Sequence, residues 1–294
     1  MTSLRLTAAV AIALTSAGCS DTSEPDDGRL TVAVAFYPIE ELARRVGGSN
    51  IEVTALVEPG EEAHEFEPTA RQVANLEDAD VVFYLGSDFQ PSLENAIRAL
   101  PDFIRTVDLL DGLTVLTGDD GTDPHVWLDP HNMQLMAQKV AAVLSEEAPA
   151  QATAFSTATN AYIGDLAELS DEFDVGLAEC AVPVMITTHR AFEYLASAYQ
   201  LTHQAIAGVS PGDEPSARSL EEISEFAADN GVTTIFFEAE LSELAQTVAN
   251  EIGADTARLE TVESLTENQL DAGESYLSVM RHNLDAMREG MDCT

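Results

Sequence analysis

The chain alternates short apolar runs with amphipathic segments in both of its halves. In the first half, "LTVAVAFY", "IEVTALV" and "DVVFYLG" have the length and composition of buried strands. Helical periodicity marks "IEELARRVGG" and "ARQVANLEDA" between them. The second half repeats the pattern, with strands predicted at "VPVMITT", "LTHQAIA" and "VTTIFFE" and helices at "AFEYLASAY", "ARSLEEISEFAADNG", "LSELAQTVANEIG" and residues 275–289. This order predicts an α/β protein with two lobes, each a mainly parallel sheet flanked by helices.

A single long helix is predicted to join the two lobes. Residues 131–178 contain few helix breakers apart from Pro149. One helix of nearly thirty residues, about 45 Å long, therefore fits after that proline and would act as a rigid strut. We expect an N-terminal lobe over residues 30–148, a linking helix over 149–178 and a C-terminal lobe over 179–294.

The first residues have the features of an export signal. Arg5 precedes an apolar stretch that is too short to span a bilayer and that ends at "TSAGCS", so residues 1–19 are interpreted as a signal peptide. Small residues before Cys19 resemble the lipobox of bacterial lipoproteins, in which the cysteine carries the lipid. Lipoboxes usually have leucine where this chain has Ser16, so cleavage by an ordinary signal peptidase is the alternative. Residues 20–29 are polar and predict a flexible acidic tether.

Charge and cysteine content narrow the choice of partners and compartment. The chain has 52 acidic and 13 basic residues, a net charge of −39, which disfavours binding to nucleic acid or to anionic membranes. Cys180 and Cys293 remain after the signal, and an exported protein is expected to pair them in a disulfide. The alternative is two small buried apolar residues.

Three of the six histidines follow predicted strands. His64 lies in the loop after the second strand, His125 in "TDPHVWLDPH", and His189 directly after "VMITT". Ligands of open α/β sheets bind beyond the carboxyl ends of the strands, so the three imidazoles are predicted to converge in the cleft between the lobes. Imidazole suits Zn²⁺, which takes four ligands and would leave one place for a carboxylate. The segment "HEFEP" does not match the zinc motif of metalloproteases.

Five motifs occur in the order typical of one family: "EPGEEAHEFEPTARQV", "DPHVWLDP", "THRAFEYLA", "IAGVSPGDEPSARSLEEI" and "GESYLSVMRHNLDAM". Nearly all of the chain after Cys19 resembles the solute-binding proteins of zinc and manganese ABC transporters. The resemblance implies a monomeric receptor, not an enzyme, that holds one metal in the cleft and passes it to a membrane permease. The implied ligands are His64, His125, His189 and, at the family's acidic position, Glu274, where many relatives have aspartate.

The donor set favours zinc, because manganese generally prefers more oxygen ligands. Many zinc receptors of the family carry a histidine-rich loop before the second ligand. This chain has the short acidic "TGDDGTD" there, which keeps manganese as the alternative.

The other polar residues have other predicted roles. His131 is expected at a solvent-facing helix start, His203 as a hydrogen-bonded strand residue, and His282 on a helix surface. Glu238, at the end of "TTIFFE", is expected either to orient a ligand or to cap its strand.

Two other classes of function share some of these features. A zinc hydrolase also uses three histidines, but it needs an open coordination position and a general base, for which Glu65 is the adjacent residue. An adhesin, or a receptor for an organic ligand, is compatible with two lobes and a strut, but neither requires three converging histidines.

Overall fold

The computed structural model describes residues 29–118, 121–212, 216–238 and 243–294. The predicted signal peptide, Cys19 and nearly all of the predicted tether lie outside these residues. In the described part of the chain, none of the helices combines the length and the apolar character needed to cross a membrane.

The first lobe is built on a parallel sheet with strand order β2-β1-β3-β4. Its strands are β1 (Leu30–Val34), β2 (Ile51–Ala55), β3 (Val81–Tyr84) and β4 (Arg105–Asp108). Its helices are α1 (Tyr37–Gly47), α2 (Ala70–Glu77) and α3 (Pro91–Arg98). A short antiparallel hairpin, β5 (Thr117–Gly118) with β6 (Gly121–Thr122), follows the sheet.

Two long helices come next in the chain, α4 (Pro130–Glu147) and α5 (Ala152–Leu177). A 3₁₀ turn at Pro149–Gln151 joins them. The predicted linking helix over residues 149–178 therefore begins three residues later than expected, because Pro149 starts the turn and not the helix. At 26 residues, α5 is about 39 Å long, which confirms a strut of nearly the predicted length.

The second lobe repeats the topology of the first, with strand order β10-β9-β7-β8. Its strands are β7 (Val184–Thr187), β8 (Thr202–Ala205), β9 (Thr234–Phe237) and β10 (Asp255–Arg258). Its helices are α6 (Glu193–Ala198), α7 (Ala217–Asp229), α8 (Glu243–Ile252), α9 (Glu267–Asp271) and α10 (Tyr276–Gly290). Neighbouring strands pair in parallel in both sheets, as predicted.

Each sheet has one edge strand that the hydrophobic pattern does not predict. β4 and β10 present mostly exposed or half-buried positions, in contrast to the buried β3 and β7. An edge strand packs on few neighbours, so polar residues are tolerated there and no apolar run marks it in the sequence. The segment that follows β10 leads into the cleft between the lobes. Because β10 is not predicted from the sequence, the position of that segment is not predicted either.

One continuous core connects the lobes through α5. Its buried side chains, spaced three or four residues apart, include Phe155, Tyr162, Leu166 and Phe173. They pack between the first lobe and α10, and Gly176 allows the close approach of α10, because a Cβ there would stand 3.0 Å from the side chain of Leu284. The strut is thus part of the core and not a free linker.

A disulfide joins Cys180 and Cys293, as predicted. The two residues also form an isolated antiparallel bridge, so the segment between α5 and β7 is fastened to the end of the chain after α10. The sequence separation is 113 residues. Both ends of the second lobe are thereby held together next to the strut.

Since α5 shares its core with both lobes, we expect only limited closure of the lobes on metal binding. Small-angle X-ray scattering of the metal-free and metal-loaded protein should give radii of gyration that agree within error. A large contraction on loading would contradict the rigid arrangement.

Replacing both Cys180 and Cys293 with serine should lower the free energy of unfolding by about 4–5 kcal/mol, because the chain-entropy model assigns that value to a loop of this length. Denaturant unfolding measures the loss. Thiol counting under denaturing conditions provides the control, and two free cysteines in the exported domain after Cys19 would contradict the pairing there.

Candidate metal centre

The carboxyl ends of the two sheets face the same cleft, and four potential ligands converge in it. They are His64, His125, His189 and Glu263, whose donor atoms all lie within 4.8 Å of one another. The first two come from the first lobe and the last two from the second lobe. The structure therefore brings the three predicted histidines together, as the strand-end argument expects.

Local backbone structure aims each of the two loop histidines of the first lobe. His64 sits in an irregular loop after β2, where the Glu62 carboxylate accepts from the amide N–H groups of His64 and Glu65. His125 precedes a 3₁₀ turn over Val126–Leu128. Trp127 in that turn is fully buried, which anchors the segment in the core as predicted.

Both second-lobe ligands follow strands. His189 comes two residues after β7, and its backbone carbonyl accepts a hydrogen bond from the Thr187 hydroxyl at 2.6 Å. Glu263 lies five residues beyond β10. The residue before it, Val262, is buried and has a φ of 59°, a left-handed conformation that β-branched residues rarely adopt.

The strain at Val262 is offset by its surroundings. A non-glycine residue in this region costs about 1–3 kcal/mol, so neighbouring contacts must hold it there. The Trp127 indole N–H donates to the carbonyl oxygen of Thr261 at 2.7 Å, across the lobe boundary. Val262 itself packs in the main core. The result is a backbone bend that turns the Glu263 carboxylate into the cleft.

The distances among the donor atoms suit a small tetrahedral ion. The Nε2 atoms of His64 and His125 are 3.2 Å apart, and the Glu263 Oε1 lies 3.6 Å and 3.5 Å from them. The His189 Nε2 lies 3.9 Å from the same oxygen. A tetrahedron with metal–ligand bonds of about 2.0–2.1 Å has edges of about 3.4 Å, so these side chains need to move little to share one ion.

Two further carboxylates determine which imidazole nitrogen is free. The His125 Nδ1 lies 2.8 Å from Asp123 Oδ1, and the His189 Nδ1 lies 2.7 Å from Glu238 Oε2. A carboxylate can only accept, so each Nδ1 carries a proton and each Nε2 faces the cluster, where it can bind a metal ion in place of a proton. The His189 Nε2 and the Glu263 Oε1 are buried without a hydrogen-bond partner, which fits donors that point at a cation.

The site is electrostatically prepared for a cation. Burial alone lowers the pKa of His125, but the adjacent carboxylates of Asp123 and Glu263 raise it to about 9. Burial raises the pKa of Glu263, yet the His125 and His64 imidazoles keep that pKa well below its usual value. Glu263 is therefore a carboxylate, and three carboxylates around the cluster more than offset the two charges of a divalent ion.

The structure does not bring the predicted fourth ligand, Glu274, to the three histidines. This residue directly precedes Ser275, the N-cap of α10, and its carboxylate accepts from the Ser278 hydroxyl at 2.5 Å. It is partly exposed and does not belong to the cluster, in which Glu263 takes the fourth place. The sequence gives no local signal for Glu263, because it follows the edge strand β10, which no apolar run marks.

The other three histidines and Glu238 have the following positions in the structure. His131 is exposed at the start of α4, and His282 is 64% exposed on α10. The His203 imidazole is buried on β8 with its Nε2 2.7 Å from the Thr187 hydroxyl. Glu238 contacts His189 and so orients a histidine of the cluster. Asp123 contacts His125 in the same way, and sequence analysis did not predict this role. The only signal for it in the sequence is its place two residues before His125.

A two-lobed fold with three imidazoles and a carboxylate enclosed between the lobes defines a class of metal-ion-binding proteins. The family model described as "Zinc-uptake complex component A periplasmic" matches residues 32–290, and the chain belongs to this family.

Relatives of known name are similar over most of the chain. The zinc-binding lipoprotein AdcA of Streptococcus pneumoniae is 34% identical over 309 residues, which cover 99% of this chain and 62% of the lipoprotein. The chain thus spans less than two thirds of that relative. The high-affinity zinc uptake system protein ZnuA of Bacillus subtilis is 31% identical over 304 residues, 97% of this chain and 95% of the relative.

Solved structures agree on the fold. The crystal structure of the Zn(II)-bound ZnuA-like domain of Streptococcus pneumoniae AdcA superposes with a TM-score of 0.80 at 35% identity, covering 90% of this chain and all of that domain. The laminin-binding protein Lmb of Streptococcus agalactiae, described as an adhesin with metal-transporting activity, gives a TM-score of 0.81 at 27% identity, covering 90% and 99% of the two chains.

A matched pair of substitutions separates the two carboxylates. Glu263→Gln should weaken zinc binding at least tenfold, since it removes the charge that faces the ion, whereas Glu274→Gln should leave the affinity unchanged. Competition titration with a chromophoric chelator measures both. The reverse pattern, or no effect of either substitution, would show that Glu263 is not a ligand.

Proposed function

We propose that this chain is an extracytoplasmic receptor that binds one Zn²⁺ between its lobes and delivers it to an ABC permease for uptake. The observation that carries the proposal is the buried cluster of three imidazoles and one carboxylate, whose donor atoms lie within 4.8 Å of one another. Family membership over residues 32–290 and the zinc-binding names of the similar proteins support the same conclusion.

The donor set favours zinc over manganese. Three imidazoles and one carboxylate are typical zinc ligands, whereas manganese generally takes more oxygen donors and binds most nitrogen-containing sites more weakly. Manganese remains the alternative cargo. A competition between the two metals for the purified protein decides between them.

A closed site argues for binding and against hydrolysis. Catalytic zinc sites keep one coordination position open for water, but here the protein can supply all four ligands. Glu65, the general base that a hydrolase would need, is exposed, and its carboxylate is not among the four converging donors. The proposed function is therefore to carry the ion and not to use it in catalysis.

The proposed location rests on the N-terminal sequence. Arg5, the short apolar stretch and the lipobox-like residues before Cys19 support export and attachment through a lipid on Cys19. Cleavage without lipidation, giving a secreted or periplasmic protein, is the alternative. A monomer suffices for the proposed function, since one chain supplies all four ligands.

Elemental analysis of the purified mature domain should find one Zn²⁺ per chain. His189→Ala should weaken zinc binding by at least about a hundredfold, because it removes the imidazole that the second lobe supplies. His282→Ala, the same substitution on an exposed helix position, is the control and should bind zinc normally.

Two results would contradict the proposed function. One is zinc affinity that is unaffected by His189→Ala. The other is turnover of model esters or peptides by the zinc-loaded protein, since a closed site does not activate water.

A further inference from the structure

The loop that carries His64 touches both lobes at the site. Of the four donor residues, His64 is the least buried, and it lines the large cleft that opens from the cluster to solvent. Its loop has no regular secondary structure between β2 and α2. Movement of this loop is therefore the shortest way to uncover the cluster.

A hydrogen bond from the second lobe holds this loop. The Gly60 amide N–H donates to the Ser264 hydroxyl at 2.7 Å, and that hydroxyl lies 3.5 Å from the carbonyl oxygen of Glu58. Gly60 has a φ of 83°, which lets its amide turn toward the other lobe without the strain that another residue would meet. Ser264 thus joins residues 58–60 to the segment after β10.

Ser264 is also the residue that follows Glu263. The same short segment therefore presents the fourth ligand to the ion and binds the loop of the first ligand. On its other side, Thr261 is held by the Trp127 indole. Loss of the Ser264 hydrogen bond would weaken the attachment of the His64 loop to the second lobe, while the Trp127 contact still holds the bend at Val262.

We propose that Ser264 is a positioning residue that latches the His64 loop closed over the bound ion and so sets the rate of metal release. It acts through the Gly60 amide and does not touch the ion. The inference rests on the proposed zinc function. It goes beyond the ligand set, because it assigns control of release to a hydroxyl of the opposite lobe.

Ser264→Ala removes the latch. We expect zinc to dissociate about fivefold faster, the effect of one ordinary hydrogen bond, in stopped-flow transfer to an excess of chelator. Hydrogen exchange of a peptide that includes Gly60 should also become faster in the zinc-loaded protein, with no change in peptides from α4 or α5. Ser264→Thr, which keeps the hydroxyl, should restore slow dissociation and slow exchange.

Ser145→Ala is the matched control. This serine is also half-buried, but its hydroxyl donates within α4 to the carbonyl oxygen of Ala141. The control should release zinc at the rate of the unsubstituted protein. A general loss of stability would instead accelerate release and exchange throughout the chain.

The outcomes separate the latch from the zinc function. If the unsubstituted protein binds no zinc, both proposals fail. If it binds zinc and Ser264→Ala releases it within twofold of the normal rate, with unchanged exchange at Gly60, only the latch is overturned. Faster release without rescue by Ser264→Thr would also overturn it.

Discussion

Three imidazole nitrogens and one carboxylate oxygen face one another within 4.8 Å in a buried cleft. Lone pairs brought this close repel, and burying them costs free energy unless a cation or a proton lies between them. The arrangement is held because the opposite sides of two imidazoles are satisfied by Asp123 and Glu238. A cation is the natural partner of such a cluster.

Two lobes must stay in register for the cluster to exist, since each supplies half of it. The core that runs through α5 provides most of that register. Hydrogen bonds add precision at the boundary: the Tyr194 hydroxyl donates to the Asp123 carbonyl, and the Tyr276 hydroxyl donates to the Trp127 carbonyl. These bonds hold the backbone on either side of His125. A shift of the second lobe would therefore change the position of this first-lobe histidine.

The acidic composition acts over longer distances than these contacts. A net charge of −39 raises the local concentration of cations around the protein and speeds their encounter with it, to an extent that salt reduces. The chain's single lysine, Lys139, donates to the backbone carbonyls of Asp108 and Asp111, so it fastens the end of β4 to α4. The basic residues are too few to offset the acidic surface.

Hydrophobic periodicity by itself determined the two α/β lobes, the long helix and the strand ends that carry His64, His125 and His189, because buried strands and amphipathic helices leave strong local patterns. The two cysteines that follow the predicted signal peptide were also enough to predict the disulfide. The edge strand β10 has no such pattern, so the sequence did not predict that Glu263, which follows it, lies in the cleft. Only the tertiary structure decided that Glu263, and not Glu274, faces the histidines, because that choice depends on the bend at Val262 and on the contacts of Thr261 and Ser264 with the other lobe.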